Sequence, residues 1–181
     1  MSISHPDAEG QGQIQVPQQA LVIQSPWTEL IFQGQKTWEL RGRNLKKRGR
    51  VAIAASRTGT LVGEVDFVDA FPVGKKVDDT WQPYSERLLD KERFFLLPEN
   101  IQHHQVRKPS RMKYKTVYAW IMENPIKYIP SIQYEPVQGP LWPKLTPSVR
   151  QRISKRRREG LEHDDKKSKK NKIDGSTDKI E

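Results

Sequence analysis

The chain has 181 residues, no cysteine and four histidines, which excludes disulfides and thiolate metal sites and leaves little material for a zinc centre. Hydrophobic residues make up 34% and charged residues 30% of it, so one domain with segments that add nothing to a core is expected, and no apolar run approaches the roughly 20 residues that cross a bilayer. The net charge of +10 favours polyanion partners, and half of that excess, +5, falls between Arg150 and Glu181.

Residues 1–19 are rich in Gln, Gly and Pro and show neither a basic start nor an apolar stretch. They read as a disordered leader rather than a secretory signal, and the chain as a soluble, intracellular protein. Order is expected from Leu21-Val22-Ile23, a short strand. Ser25-Pro26 then marks a two-turn helix, with Ser25 as the cap, Trp27, Leu30 and Ile31 on one apolar face, and Gly34 as the left-handed stop.

Lys36 to Arg41 alternates, placing Thr37, Glu39 and Arg41 on one face and Lys36, Trp38 and Leu40 on the other. Asn44 to Arg50 is a basic loop. Val51 to Ala55 is a buried strand of small residues, and Thr58-Gly59-Thr60 turns into a strand over Leu61 to Val68. Phe71 to Arg111 is less regular, helical around Tyr84 to Phe94 and a basic loop over Ile101 to Arg111. Thr116 to Met122 is a β-branched and aromatic strand. Ile126 to Ile132 reads as an edge strand, because proline cannot sit in a central ladder, and a Pro-rich closing segment runs to Leu145. A basic helix is expected over 146–158 and a disordered charged tail over 159–181.

The run Ile23-Gln24-Ser25-Pro26-Trp27, followed by Gly34-Gln35-Lys36-Thr37-Trp38-Glu39-Leu40-Arg41, resembles the signature of the ASCH family, domains homologous to part of activating signal cointegrator 1 and related in fold to PUA domains. Arg48-Gly49-Arg50-Val51 with the small strand, Leu61-Val62-Gly63-Glu64-Val65, and Tyr118-Ala119-Trp120 before Asn124-Pro125 continue the resemblance over residues 20–145. It implies an α+β fold, a small β-barrel flanked by short helices, with a cleft lined by the GQKTWELR strand. It also implies RNA or DNA binding, and in some members hydrolysis.

Within that cleft, Arg41 is suited to fork a phosphate or a guanine edge, while Glu39 accepts from an exocyclic amine. The competing reading is a plain surface ion pair. Lys36 is a candidate phosphate contact or catalytic amine, with Thr37 beside it. Trp27 and Trp38 are candidates for stacking on a base or for the core, and Trp120 for the core. Arg48 and Arg50 are candidate ligand contacts, and Ser56 either lines the cleft floor or ends its strand. The adjacent His103-His104 point apart in extended chain, so they do not share a metal. Lys155, Arg156, Arg157 and Arg158, with the later lysine cluster at Lys166 to Lys170, are candidate phosphate contacts.

Three functions are consistent with these residues. The first is a nucleic-acid-binding module, RNA ahead of DNA, acting as a monomer in the cytoplasm, or in the nucleus of a nucleated cell, without metal or cofactor. The second is a hydrolase, either a ribonuclease or an amidohydrolase on a modified nucleoside. ASCH proteins of the latter kind resemble this chain at Lys36, but Glu39 stands where their threonine belongs, so the hydroxyl nucleophile is missing. The third is an interaction module of a transcription coregulator.

Overall fold

The structure, a computed structural model, describes residues 15–135 and 141–159. The expectations for residues 1–14, for the lysine cluster at 166–170 and for the rest of the tail from 160 lie outside the described residues. In chain order the elements are β1 (Ala20–Ile23), α1 (Trp27–Phe32), β2 (Trp38–Arg41), β3 (Gly49–Ala55), β4 (Thr60–Val77), β5 (Thr80–Gln82), α2 (Leu88–Glu92), α3 (Pro98–His104) and β6 (Thr116–Gln133). A 3-10 turn at Pro109–Arg111 leads into β6, and residues 147–159 are helical. Among the described residues, no helix is long and apolar enough to cross a membrane.

This is the expected α+β architecture, but the barrel is not closed. The strands run β1-β3-β4-β6-β2, with β5 added to β4, so β1 and β2 are two unjoined ends. The reason is local. Ala20 donates to Pro143 O at 3.0 Å and Val22 to Leu141 O at 3.3 Å, so residues 141–145 occupy the edge of β1 that a closing ladder would need. Arg41 of β2 reaches across the seam to Val22 O, at 3.5 Å.

Strands β4 and β6, each of 18 residues, form the spine. The strand expected over Leu61 to Val68 runs on through Pro72 to Val77. The strands expected separately over Thr116–Met122 and Ile126–Ile132 are one. The prolines are accommodated because the β4–β6 register shifts near them: between Glu64 and Asp66 opposite Asn124-Pro125, between Leu61 and Gly63 opposite Pro130, and again after Pro72. Such bulges leave a residue out of the ladder, so a missing N–H costs nothing there. Beyond Ile121 only β4 flanks β6, which gives 126–132 the one-sided pairing its prolines suggest.

Other elements differ from expectation for equally local reasons. Pro26, not Ser25, sits at the N-cap of α1, and the Ser25 hydroxyl instead donates to Glu29 Oε2 at 3.1 Å. Gly34 supplies the expected left-handed stop, with φ of 73°. The stretch from Phe71 contains a hairpin, in which Asp78 and Asp79, both at positive φ, join β4 to β5 in two residues. The basic loop expected from Ile101 begins inside α3, which opens on Pro98 at its first turn.

Three clusters form the core. Leu21, Ile23, Val51, Ile53, Phe67 and Trp120 fill the concave side with Ile31 of α1. Leu40, Val73, Phe95 and Val117 pack beneath α2 and α3. The third cluster explains the small residues of β1 and β3. Ala20, Ala52 and Ala54 face away from the first cluster and admit Leu145 and, from the 147–159 helix, Val149 and Ile153 at close range. Burying a side chain such as Val149 or Ile153 contributes about 1.5–3 kcal/mol.

That helix is also tied by charge. Glu64 is fully buried, yet it takes two bonds from Arg157, 2.7 Å from Nε and 2.5 Å from Nη2, and a third at 2.9 Å from the Tyr128 hydroxyl. Burial, reinforced by the Glu64 carboxylate, pushes the Tyr128 phenol far above its ordinary range. Residues 15–19 are held from the same side, since Arg157 Nη2 donates to Gln15 O, Leu145 N donates to Gln18 O, and Gln19 bridges Lys144. Removing one partner of a buried ion pair leaves an uncompensated charge, so Arg157→Ala is expected to cost about 3–5 kcal/mol. The double change Glu64→Met/Arg157→Met should cost less, and urea unfolding of the three proteins measures this. Equal midpoints for the wild type and Arg157→Ala would show that the pair does not hold the helix.

Candidate functional site

The GQKTWELR segment does not present its charges to solvent. Strand β2 begins only at Trp38, so Lys36 is not bound by the strand's alternation, and its side chain turns to the Glu39 face instead of the opposite one. Its ammonium lies 3.3 Å from Glu39 Oε2 and donates to Trp38 O at 2.7 Å and His104 O at 3.0 Å. With three acceptors and a residue exposure of 3%, Lys36 is enclosed, with the Trp27 ring 5.2 Å below its charge. Burial holds the amine below its ordinary 10.5; the Glu39 carboxylate opposes that shift, and Arg41 adds to it.

Glu39 is shared. Its second oxygen, Oε1, lies 2.9 Å from Arg41 Nε, so one buried carboxylate stands between two cations. The Arg41 N–H is not directed at that oxygen, and Nε has no aligned acceptor among the described residues. The guanidinium lies 5.8 Å from the Trp120 ring centre and keeps 21% of its side chain exposed. It is thus partly exposed, in contrast to Lys36.

A cleft opens on each side of this triad. The first, of about 300 Å³, has Lys36, Thr37 and Gly34 on one wall and the Glu123-Asn124-Pro125 bulge on the other. The second, of about 510 Å³, is lined by Arg41, Arg43, Tyr114, Trp120, Leu141 and Trp142. Its geometry is fixed by neighbours: Trp120 Nε1 donates to Arg43 O at 2.9 Å, and Trp142 stacks on Trp120 with centres 5.7 Å apart. Gly42 lies so close under the Tyr114 ring that an added Cβ would collide with it.

The other expected site residues divide. Trp38 stacks on His103 at 5.0 Å and meets Phe71 edge-on, away from both clefts, and Trp27 is half-buried against the first core cluster. The Thr37 hydroxyl lies 3.0 Å from His103 Nδ1. His104 is directed elsewhere: its Nδ1 accepts from Val106 N and its Nε2 faces Phe95 O. Arg50 pairs with Asp66 and donates to Asn124 O at 2.7 Å, so it braces the bulge beside the first cleft. Arg48 pairs with Asp69 at the surface. Ser56 follows the end of β3, its backbone N–H bonded to Ile23 O. Of the four cations from Lys155 to Arg158, Arg157 is turned inward to Glu64 and Arg156 is bonded to Glu159 at 3.1 Å, while Lys155 and Arg158 are exposed. Among the described residues there is no cluster of three or more metal-ligating side chains.

Sequence reasoning missed Arg43, Leu141 and Trp142. The one available signal was a large aromatic, Trp142, isolated between a leucine and a proline in a segment otherwise read as closing chain.

A family model described as ASCH domain matches residues 21–131. Three solved structures of an ASCH protein from Zymomonas mobilis are similar to the chain. One mutant protein shares 16% identity over 76% of this chain and 96% of that one, with a TM-score of 0.46. A second mutant shares 15% over 77% and 98%, also at 0.46, and the unaltered protein shares 16% over 76% and 93%, at 0.45. No curated protein matches.

The enclosure of Lys36 has a measurable sign. A folded-state amine below 10.5 releases its proton before the unfolded one does, so its contribution to stability rises with pH between the two values. The stability of the wild type relative to Lys36→Met is therefore expected to increase as pH rises toward 10.5, measured as urea midpoints. A flat difference would mean that the amine is not depressed.

Proposed function

The chain belongs to the ASCH domain family, and on that premise we propose that it binds single-stranded nucleic acid, RNA ahead of DNA, by taking a base into the second cleft. The observation that carries this reading is the Arg41 guanidinium. It is partly exposed at the edge of a cleft of about 510 Å³ walled by Tyr114, Trp120 and Trp142, held from behind by Glu39 Oε1 at 2.9 Å from its Nε. An arginine in that state is suited to a base edge or phosphate, and every base offers a π-face to the aromatic walls. Glu39 fixes the position of Arg41 through one carboxylate oxygen, and Lys36 holds the other.

A hydrolytic reading has one observation in its favour. Thr37 lines the first cleft with its hydroxyl 3.0 Å from His103 Nδ1, an arrangement in which a base can take a hydroxyl proton. Against it, Lys36 is held by three acceptors and is not a free amine.

Binding of matched single- and double-stranded RNA and DNA to the full chain tests the proposal, with the recovered strands inspected for cleavage. Trp142→Ala is expected to lose about 1–3 kcal/mol, or about 5- to 150-fold in affinity, and Arg41→Ala at least as much. Unchanged affinity in both variants would overturn the cleft reading. Cut strands that disappear in Thr37→Val would replace it with a ribonuclease.

A further inference from the structure

The residues after Leu145 form a docked helix whose two faces differ. Val149, Ile153 and Arg157, spaced four apart, turn to the body, the first two into the core and the third onto Glu64. The opposite face, with Arg152, Lys155 and Arg158, is exposed. Between this face and the end of β6 lies a groove of about 370 Å³, lined by Ser131, Gln133, Arg152, Lys155, Arg156 and Glu159.

We infer that this groove is a second nucleic-acid contact, a phosphate track that holds the backbone of the strand whose base enters the cleft beside Arg41; it rests on the reading proposed above. Three features support it. The groove sets three cations against one carboxylate, and Glu159 is already drawn to Arg156 at 3.1 Å and, loosely, to Lys155 at 3.9 Å. Arg152 makes no ion pair among the described residues, and Lys155 keeps 74% of its side chain exposed. Ser131 and Gln133 add neutral donors of the kind that position phosphates without reading sequence.

The helix lock makes the track rigid. Because Glu64 and the alanines of β1 and β3 fix the helix, the cations meet a phosphate with little backbone ordering left to lose. The track is also joined to the cleft by a short, ordered strap. Residues 141–145 run from Leu141 and Trp142 at the cleft along the edge of β1, through exposed Lys144, to the start of the helix. A strand long enough to span both places is therefore needed to use them together.

The experiment compares a trinucleotide with a single-stranded RNA of about 20 nucleotides across a salt series, using the full chain. The double variant Arg152→Gln/Lys155→Gln, whose urea midpoint should match the wild type, is expected to bind the longer strand more weakly. The slope of log affinity against log salt should fall by about 1.4, at about 0.7 per lost phosphate contact on a single strand. Its affinity for the trinucleotide should be that of the wild type, and Arg152→Lys/Lys155→Arg should keep the full slope. An unchanged slope on the longer strand, with Arg41→Ala still losing binding, would overturn the track and leave the cleft standing. Equal weakening on both lengths would also overturn it, because the helix would then act through the cleft. Absence of binding by the wild type to either RNA would overturn both.

Discussion

The pairing of β4 with β6 is the constraint from which the rest follows. Each strand is 18 residues long, and their ladder shifts register four times on the β4 side. A straight ladder of that length would leave its prolines as broken hydrogen bonds; the bulges take Pro125 and Pro130 out of the pairing, with a further shift just after Pro72, and turn the strands. Everything else attaches to this pair: β3 and β5 to β4, β2 to β6, and β1 through β3. Even the triad depends on it, since Glu39 and Arg41 stand opposite Trp120 and Tyr118 of β6. The Asn124-Pro125 bulge supplies the far wall of the first cleft.

Two buried carboxylates then organise the charged chemistry in different ways. Glu64 is fully satisfied by Arg157 and Tyr128, so it is a fastening, and its environment leaves nothing for a ligand. Glu39 is placed between an enclosed cation, Lys36, and a partly exposed one, Arg41. A cation that keeps part of its side chain at a cleft can meet a ligand without first giving up its bonds, which an enclosed one cannot do. The same comparison explains why Lys36, the most conspicuous cation of the motif, is poorly placed to react, and why Arg41 is the better contact.

Open edges are managed by covering rather than closure. The 141–145 strap lies on β1 where β2 would otherwise pair, and a side chain, Arg41, spans the remaining seam. This leaves the sheet with a gap at its mouth, and the second cleft is lined by residues from both sides of that gap: Arg41 and Arg43 from the β2 end, Leu141 and Trp142 from the strap. Unpaired strand edges invite association with other chains, and a short covering segment removes that hazard while keeping the mouth accessible.

Much of this was legible in the residues. The apolar run at Leu21, the left-handed Gly34, the alternation of Trp38 to Arg41 and the small buried strand Val51 to Ala55 each carry local signals, and their order identified the family and the α+β class. Two kinds of feature were not legible. Strand continuity across Pro72, Pro125 and Pro130 depends on where the partner strand slips, which local propensity does not encode. The roles of charged residues depend on what faces them. Arg157 sits in the same basic run as Lys155 and Arg158, yet it is a buried partner of Glu64, 93 positions away in the chain. Lys36 likewise meets His104 O across 68 positions. The sequence by itself determined the strands around Leu21, Trp38 and Val51 and the family to which the chain belongs, because those follow from neighbours along the chain. Only the tertiary structure decided which cations are enclosed and which face a cleft, because that is set by the long-range packing that removes water from some of them and leaves it on the others.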